Sequence, residues 1–373
     1  MNRKEFIQKS ITIIFLAFLL IGCMIWEIAV QKEPAPQTAA STKANAKTVT
    51  GSAISGIQGT WISFGDYKSA GLYNRSQSTF SANADKYFKK LKADGINTIY
   101  FHVVPCNDAI YPSKYLKWSS YMFQSAPNYD PLEILITKAH KYDMSFHAWI
   151  NPYRKKMGVI YDPGKTSSTN RIIKITKELL NNYPIDGIHF DDYFYPSRAK
   201  GAQLYKVSVA KRKKVINAMV KKVYKTVKSY NKNLLFGISP AGNIEYAESL
   251  GCDLKTWLSK DGYIDYIIPQ IYWSDQYRLG GKTVTMYTDR LNAWNELNDD
   301  QKPMYIGLAM YRAGSKSSSD LGWSKKNNNI VTQIRQLKRE GCEGFVLFSS
   351  TYLYKSSTSK EAAKYRSYIR SQK

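Results

Sequence analysis

Two adjacent carboxylates close an apolar, aromatic run in HFDDYFYP at residues 189–196. Ionised acids are costly beside a core unless they have a partner or a task. Asp191 and Asp192 are therefore the first candidates for proton-transfer chemistry. Period-two alternation puts His189 and Asp191 on one face of a strand and Asp192 on another, until the chain turns. The competing role for either acid is to cap the loop that follows.

Hydrolysis of an acetal linkage needs two carboxyl roles. One group protonates the leaving oxygen, and the other attacks or activates water. Asp191 fits the second role. Glu245, just after the SPAG turn at 239–242, and Asp275 are candidates for the acid, with Asp108 and Asp192 behind them. Aromatic rings can stack on sugar faces, and Trp149, Tyr153, Tyr193, Tyr195, Tyr272, Trp273 and Tyr311 stand near these acids or near comparable strand ends. Packing is the alternative for each. Asn151, Arg154 and Gln270 could bond sugar hydroxyls or orient a carboxylate. A metal centre is the main rival, because His102, His147 and His189 fall on three successive expected strands. No H-x-H pair occurs and the histidines precede the strand ends, so the expectation is no metal and no cofactor. No G-x-S-x-G elbow is present to supply a serine nucleophile.

These residues need a scaffold that brings strand ends together. Strand-like runs occur at 59–65, 97–105, 145–153, 187–196, 234–242, 266–273, 303–311 and 344–351. Each is rich in β-branched and aromatic residues and bounded by Gly, Pro, Asn or Asp. Helical spans are expected from Asp130-Pro131 through Lys141, and over 169–182, 201–229, 253–260, 284–298, 327–340 and 360–370. Eight β–α units in order predict an α/β fold, a closed (β/α)₈ TIM barrel over 57–373, with its chemistry at the C-terminal strand ends. A doubly wound sheet would carry a glycine-rich phosphate turn after its first strand, and none is seen.

The N-terminal segment is of another kind. Arg3, Lys4 and Lys9 precede the apolar run at 11–30, which predicts export. Leu20-Ile21-Gly22-Cys23 fits a lipidation box with Cys23 as the modified residue. The run is also long enough to span a bilayer. Both readings attach the protein to the outer face of the cytoplasmic membrane, and residues 31–56 then form a flexible polar spacer.

The chain carries 54 Lys+Arg against 29 Asp+Glu, a net charge of +25. That favours anionic polymers. No nucleic-acid-binding signature accompanies it, so nucleic acid is not an expected partner. The basic run of Lys211, Arg212, Lys213, Lys214, Lys221, Lys222, Lys225 and Lys228 reads as a solvated helix face. Cys106, Cys252 and Cys342 read as free thiols, with a Cys252–Cys342 bridge as the open alternative.

GTWIS at 59–63, NPYR at 151–154, GIHFDDYFYP at 187–196, GISPAGN at 237–243 and IIPQIYW at 267–273 together resemble a bacterial glycosyl-hydrolase-like family related to glycoside hydrolase family ten. The resemblance covers roughly residues 57–350. It implies a barrel acting on envelope polysaccharide, with Asp191 and Asp192 as the active-site pair. Some members are lipoproteins that cleave peptidoglycan strands stripped of stem peptides. The larger family ten enzymes use glutamates on strands four and seven, and this chain has aspartates on the fourth and no acid in LAMYR at 308–312. Their mechanism does not transfer. An acetamido-assisted route is implied instead, in which one acid of the pair orients the substrate's N-acetyl group. The alternatives are hydrolysis of another secreted polysaccharide and a non-catalytic glycan-binding barrel.

Overall fold

The computed structural model describes residues 56–191, 194–196, 204 and 206–372. Eight parallel strands form its centre: β1 (Ile57–Ile62), β2 (Thr98–Val104), β3 (Ser145–Ile150), β4 (Gly187–Asp191), β5 (Leu235–Ser239), β6 (Tyr266–Ile267), β7 (Ile306–Leu308) and β8 (Gly344–Leu347). Each lies within or overlaps one of the expected runs. Their order around the sheet is β6-β5-β4-β3-β2-β1-β8-β7. Single parallel bridges, Ile267 to Met304 and Gln270 to Gly307, join β6 to the β7 segment and close the cylinder. Pro269 has no N–H to give to a ladder, which accounts for the brevity of β6. The seam is held by Ile267 N–H to Pro303 O at 3.0 Å, Tyr305 N–H to Ile267 O at 3.0 Å and Gly307 N–H to Pro269 O at 2.9 Å.

The helices are α1 (Gln77–Ala93), α2 (Pro131–Lys141), α3 (Thr166–Asn182), α4 (Val209–Tyr230), α5 (Ile244–Ser249), α6 (Leu254–Ser259), α7 (Met286–Leu297), α8 (Gly322–Lys325), α9 (Asn329–Arg339) and α10 (Ser359–Arg370). Three helices, α1, α5 and α8, lie outside the spans expected above. Asp130 caps α2 by accepting from Leu132 and Glu133 N–H, with Pro131 in the first turn. Helix α9 is capped from a distance. Asn328 makes no side-chain capping bond, and buried Glu361 of α10 accepts the Ile330 N–H at 2.7 Å.

One large apolar layer lies between strands and helices. A second, inside the barrel, contains Trp61, Tyr100, Trp149, Tyr266 and Tyr305. Glycines make room for these rings. A Cβ on Gly237 would stand 2.1 Å from the Tyr266 ring, and one on Gly187 would stand 2.6 Å from His147 Nδ1. Large and small residues on facing strands thus interlock inside the cylinder.

One expectation changes here. Arg212 leaves the solvated basic face. It is buried and donates to Val207 O at 2.8 Å and Ser249 O at 2.5 Å, because the short α5 turn exposes carbonyls that need donors. Cys252 and Cys342 are both free thiols, so the bridge is not formed. The expected export segment, Cys23 and the expected spacer through residue 55 lie outside the described residues.

Candidate active site

Asp191 is the last residue of β4 and pairs with Ser239 of β5. Its carboxylate is held from β6's side of the mouth: Gln270 Nε2 donates to Asp191 Oδ1 and to Ser239 O, each at 3.0 Å. One amide group therefore fixes the acid against the ends of two strands. Asp192 and Tyr193 lie outside the described residues.

Beneath Asp191 runs a buried polar chain. Trp61 Nε1 donates to His189 Nε2 at 3.2 Å, which fixes that nitrogen as an acceptor. The Nδ1–H of His189 then donates to Tyr266 Oη at 3.2 Å, and the Tyr266 hydroxyl donates to His147 Nδ1 at 3.0 Å. Burial pushes His189 well below the usual histidine range and His147 down to about 4. Both rings are neutral at pH 7. His102 is also driven down by burial, and its ring stacks flat on Trp149, 3.7 Å between centroids. His147 and His189 are thus hydrogen-bonding groups of the barrel interior, and His102 is packed there against Trp149. Among the described residues, no three His, Cys, Asp or Glu side chains converge to hold a metal ion.

The mouth has two aromatic sides. Over β6 to β8, Tyr272, Tyr311 and Phe348 form a half-buried cluster with centroid separations of 5.8–5.9 Å. Over β1 and β2, Phe64 lies 4.4 Å from the Tyr121 ring and 5.4 Å from His102. Phe348, Phe64 and Tyr121 were not singled out from sequence. Phe348 directly follows β8 in FVLFSS, a strand-end position of the same kind as Asp191, and that was a usable signal. Asp66 is buried at the junction of first and last strands. It accepts from Ser63 N and Oγ at 2.8 and 2.7 Å, Ser349 Oγ at 2.9 Å and Thr351 Oγ1 at 2.5 Å.

Several sequence candidates are placed elsewhere. Glu245 is exposed on the first turn of α5 and pairs with Arg290 at 3.4 Å. Asp275 accepts from Thr288 N at 2.8 Å and Thr288 Oγ1 at 2.7 Å, and so anchors the first turn of α7. Asp108 is buried, accepts the Cys106 N–H at 3.1 Å, and is raised by desolvation. Tyr153 is fully buried with its ring edge-on to Phe194, and Tyr195 is buried against Arg212 and α4. Trp273 is also buried, and its carbonyl accepts from Gln333 Nε2 at 2.8 Å. Their large apolar faces are taken up by the strand–helix layer, so surface for stacking is lacking. Trp149 and Asn151 sit just under the mouth, where Trp149 Nε1 donates to Asn151 Oδ1 at 2.9 Å and Asn151 donates to Pro105 O. Arg154 is buried at the base of a small hairpin after β3. Gln270, Tyr272 and Tyr311 remain half-buried at the mouth.

A closed (β/α)₈ barrel with a positioned carboxylate ending β4 and aromatic walls around it defines the glycoside hydrolase class, whose reaction is hydrolysis of glycosidic bonds. The chain belongs to the glycosyl hydrolase-like 10 family, whose sequence profile matches residues 56–159 and 154–325. It is 28% identical to glycosyl hydrolase DigH of Escherichia coli K12, over 96% of each chain. It is 29% identical to glycosyl hydrolase YngK of Bacillus subtilis, over 65% of this chain and 58% of that one. Among solved structures it resembles the endo-β-1,4-mannanase of Thermotoga petrophila, with a TM-score of 0.60 at 11% identity, covering 86% of this chain and 77% of that one. It also resembles the PgaB glycoside hydrolase domain of Bordetella bronchiseptica, with a TM-score of 0.57 at 12% identity, covering 83% and 98%. At such identities these two likenesses speak for the fold.

Proposed function

We propose that this barrel hydrolyses cell-envelope glycans, with peptidoglycan strands lacking stem peptides as substrate. The observation that carries the reading is the Asp191 carboxylate, held by Gln270 at the end of β4 beside the Tyr272–Tyr311–Phe348 wall. A sugar ring lying on that wall presents polar edges towards the acid. An N-acetyl amino sugar brings its own acetamido oxygen, which can attack its anomeric carbon when a carboxylate orients the amide N–H. Asp191 takes that orienting role, and Asp192 is the acid that protonates the leaving oxygen as the glycosidic C–O bond breaks; water then opens the resulting oxazolinium ring and returns a proton to Asp192. The engagement of Glu245 and Asp275 with helices favours drawing both acids from the β4 end. We assign this work to the outer face of the cytoplasmic membrane, through a lipid on Cys23 or an uncleaved span, on the support of the basic and apolar run at residues 3–30.

The same engagement of Glu245 and Asp275 also supports a second reading, a barrel that binds glycan without cleaving it. Mass spectrometry of products from purified glycan strands, with and without stem peptides, separates the two. The expected result is release of short saccharides from stripped strands by the wild type, and none from a folded Asp191→Asn protein. Loss of an essential carboxylate raises the barrier by more than about 4 kcal/mol. Binding without any product would establish the second reading. Products from a folded Asp191→Asn protein at the wild-type rate would remove Asp191 from the chemistry.

A further inference from the structure

A cleft of about 650 Å³ lies on the outer wall of the barrel between α9 and α10, and shares no residue with the mouth. Lys325 and Lys326 stand at its head, Arg335 on the α9 bank and Lys364 on the α10 bank. Its lining contains no acid. All four cations are exposed, and among the described residues none forms an ion pair with a carboxylate. The two banks are fixed against each other. Arg335 and Lys338 both lie 5.4 Å from the Tyr368 ring, and Lys338 Nζ donates to Gln372 Oε1 at 2.7 Å. The helices therefore pack against each other and flank an open cleft.

A convex basic face spreads its charges into solvent. A concave one aims them at a shared volume, where they repel and where an anion relieves all of them together. Lysine supplies point charges and arginine a planar fork, and both suit phosphate oxygens. Asn327, Asn328 and Ser367 add neutral donors along the same walls. The lining favours a polar chain over a bilayer. A membrane contact gains from apolar anchors, and the large exposed apolar side chains among the described residues, Tyr73, Tyr115, Met157, Val159, Val209 and Tyr230, all lie outside the cleft.

We propose that this cleft is a second binding site, for a linear polyanion whose charges are phosphate groups. It would hold the barrel against a phosphate-bearing polymer whatever the mouth cleaves, so it stands or falls apart from the role of Asp191.

The test uses fluorescently labelled inorganic polyphosphate and the full-length protein at fixed salt. Two variants each remove four charges. One carries K325Q, K326Q, R335Q and K364Q. The other carries K211Q, K214Q, K222Q and K225Q on exposed positions of α4. Equal melting temperatures check the fold, and K364E alone serves if the fourfold cleft variant unfolds. The expected result is a loss of affinity of at least about tenfold for the cleft variant and under about threefold for the α4 variant, since only concentrated charge acts locally. Equal loss in both would show that the attraction is diffuse and would overturn the site. The same two proteins are tested on phosphatidylglycerol vesicles. Vesicle binding that depends on the cleft, without cleft-dependent polyphosphate binding, would make it a membrane contact and overturn the polymer assignment.

Discussion

Replacing Gln270 by Ala tests whether Asp191 works because it is positioned. The substitution removes one amide NH2 group, whose two N–H donors serve two acceptors, Asp191 Oδ1 and Ser239 O, each 3.0 Å away. A hydrogen bond to a charged group contributes about 1.5–3 kcal/mol, which corresponds to about 10- to 150-fold in rate if the transition state needs it. Gln270→Ala should therefore lower kcat by that factor with KM little changed, measured on stripped glycan strands. Urea denaturation of wild type, Gln270→Ala, Asp191→Asn and the double variant gives the coupling between the two side chains, expected above about 0.5 kcal/mol. A carboxamide at 191 accepts a weaker bond, so the cost of losing Gln270 should shrink in that background. If kcat is unchanged, or if Gln270→Ala costs the same stability with Asp or Asn at 191, the amide is only packing and the positioning argument fails.

Glu361 is buried and raised by desolvation from 4.5 to about 7. The folded state then holds this proton more tightly than the unfolded chain, so stability falls as pH rises from about 4.5 to about 7, by about 3 kcal/mol. Glu361→Gln should flatten that slope in pH-dependent melting, and an unchanged slope would assign it to other groups. Gly237→Ala would press a methyl into the Tyr266 ring and displace the hydroxyl that links His147 and His189. A loss of at least about 1–3 kcal/mol is expected, and a wild-type melting temperature would disprove the tight fit. Both nitrogens of His189 are bonded within the protein, so hydrolysis should survive EDTA. Loss of activity restored by a divalent ion would make the histidines ligands.

The eight strands were legible because each is a short β-branched and aromatic run between turn residues, and Asp130-Pro131 marked the start of α2 unambiguously. Asp191 was legible because an acid ending an apolar run is costly without a role. What the sequence hid was direction. Glu245 and Asp275 stand at the right distance along the chain from β5 and β6, but Glu245 starts a helix that turns it outward, and Asp275 is claimed by the first turn of α7. Tyr153, Tyr195 and Trp273 resemble Tyr272 and Tyr311 in type and spacing. Only the packing of the surrounding helices decides which rings are covered. The fit of Gly237 to Tyr266 and of Glu361 to Ile330 depends on pairs 29 and 31 residues apart in the chain, which no local pattern records.

The bonds of Asp66 have a temporal consequence. Its partners Ser349 and Thr351 lie 283 and 285 residues further on. A chain emerging N-terminus first, from a ribosome or through a pore, has made β1 to β7 before either partner exists. Until β8 arrives, β1 and β7 are bare edges, and the Asp66 carboxylate keeps only its local bonds from Ser63 on Oδ2, with Oδ1 left to water. Bare parallel edges invite pairing with other chains. The last thirty or so residues thus act as a clasp, and the interval before it shuts is when the growing protein most needs an escort.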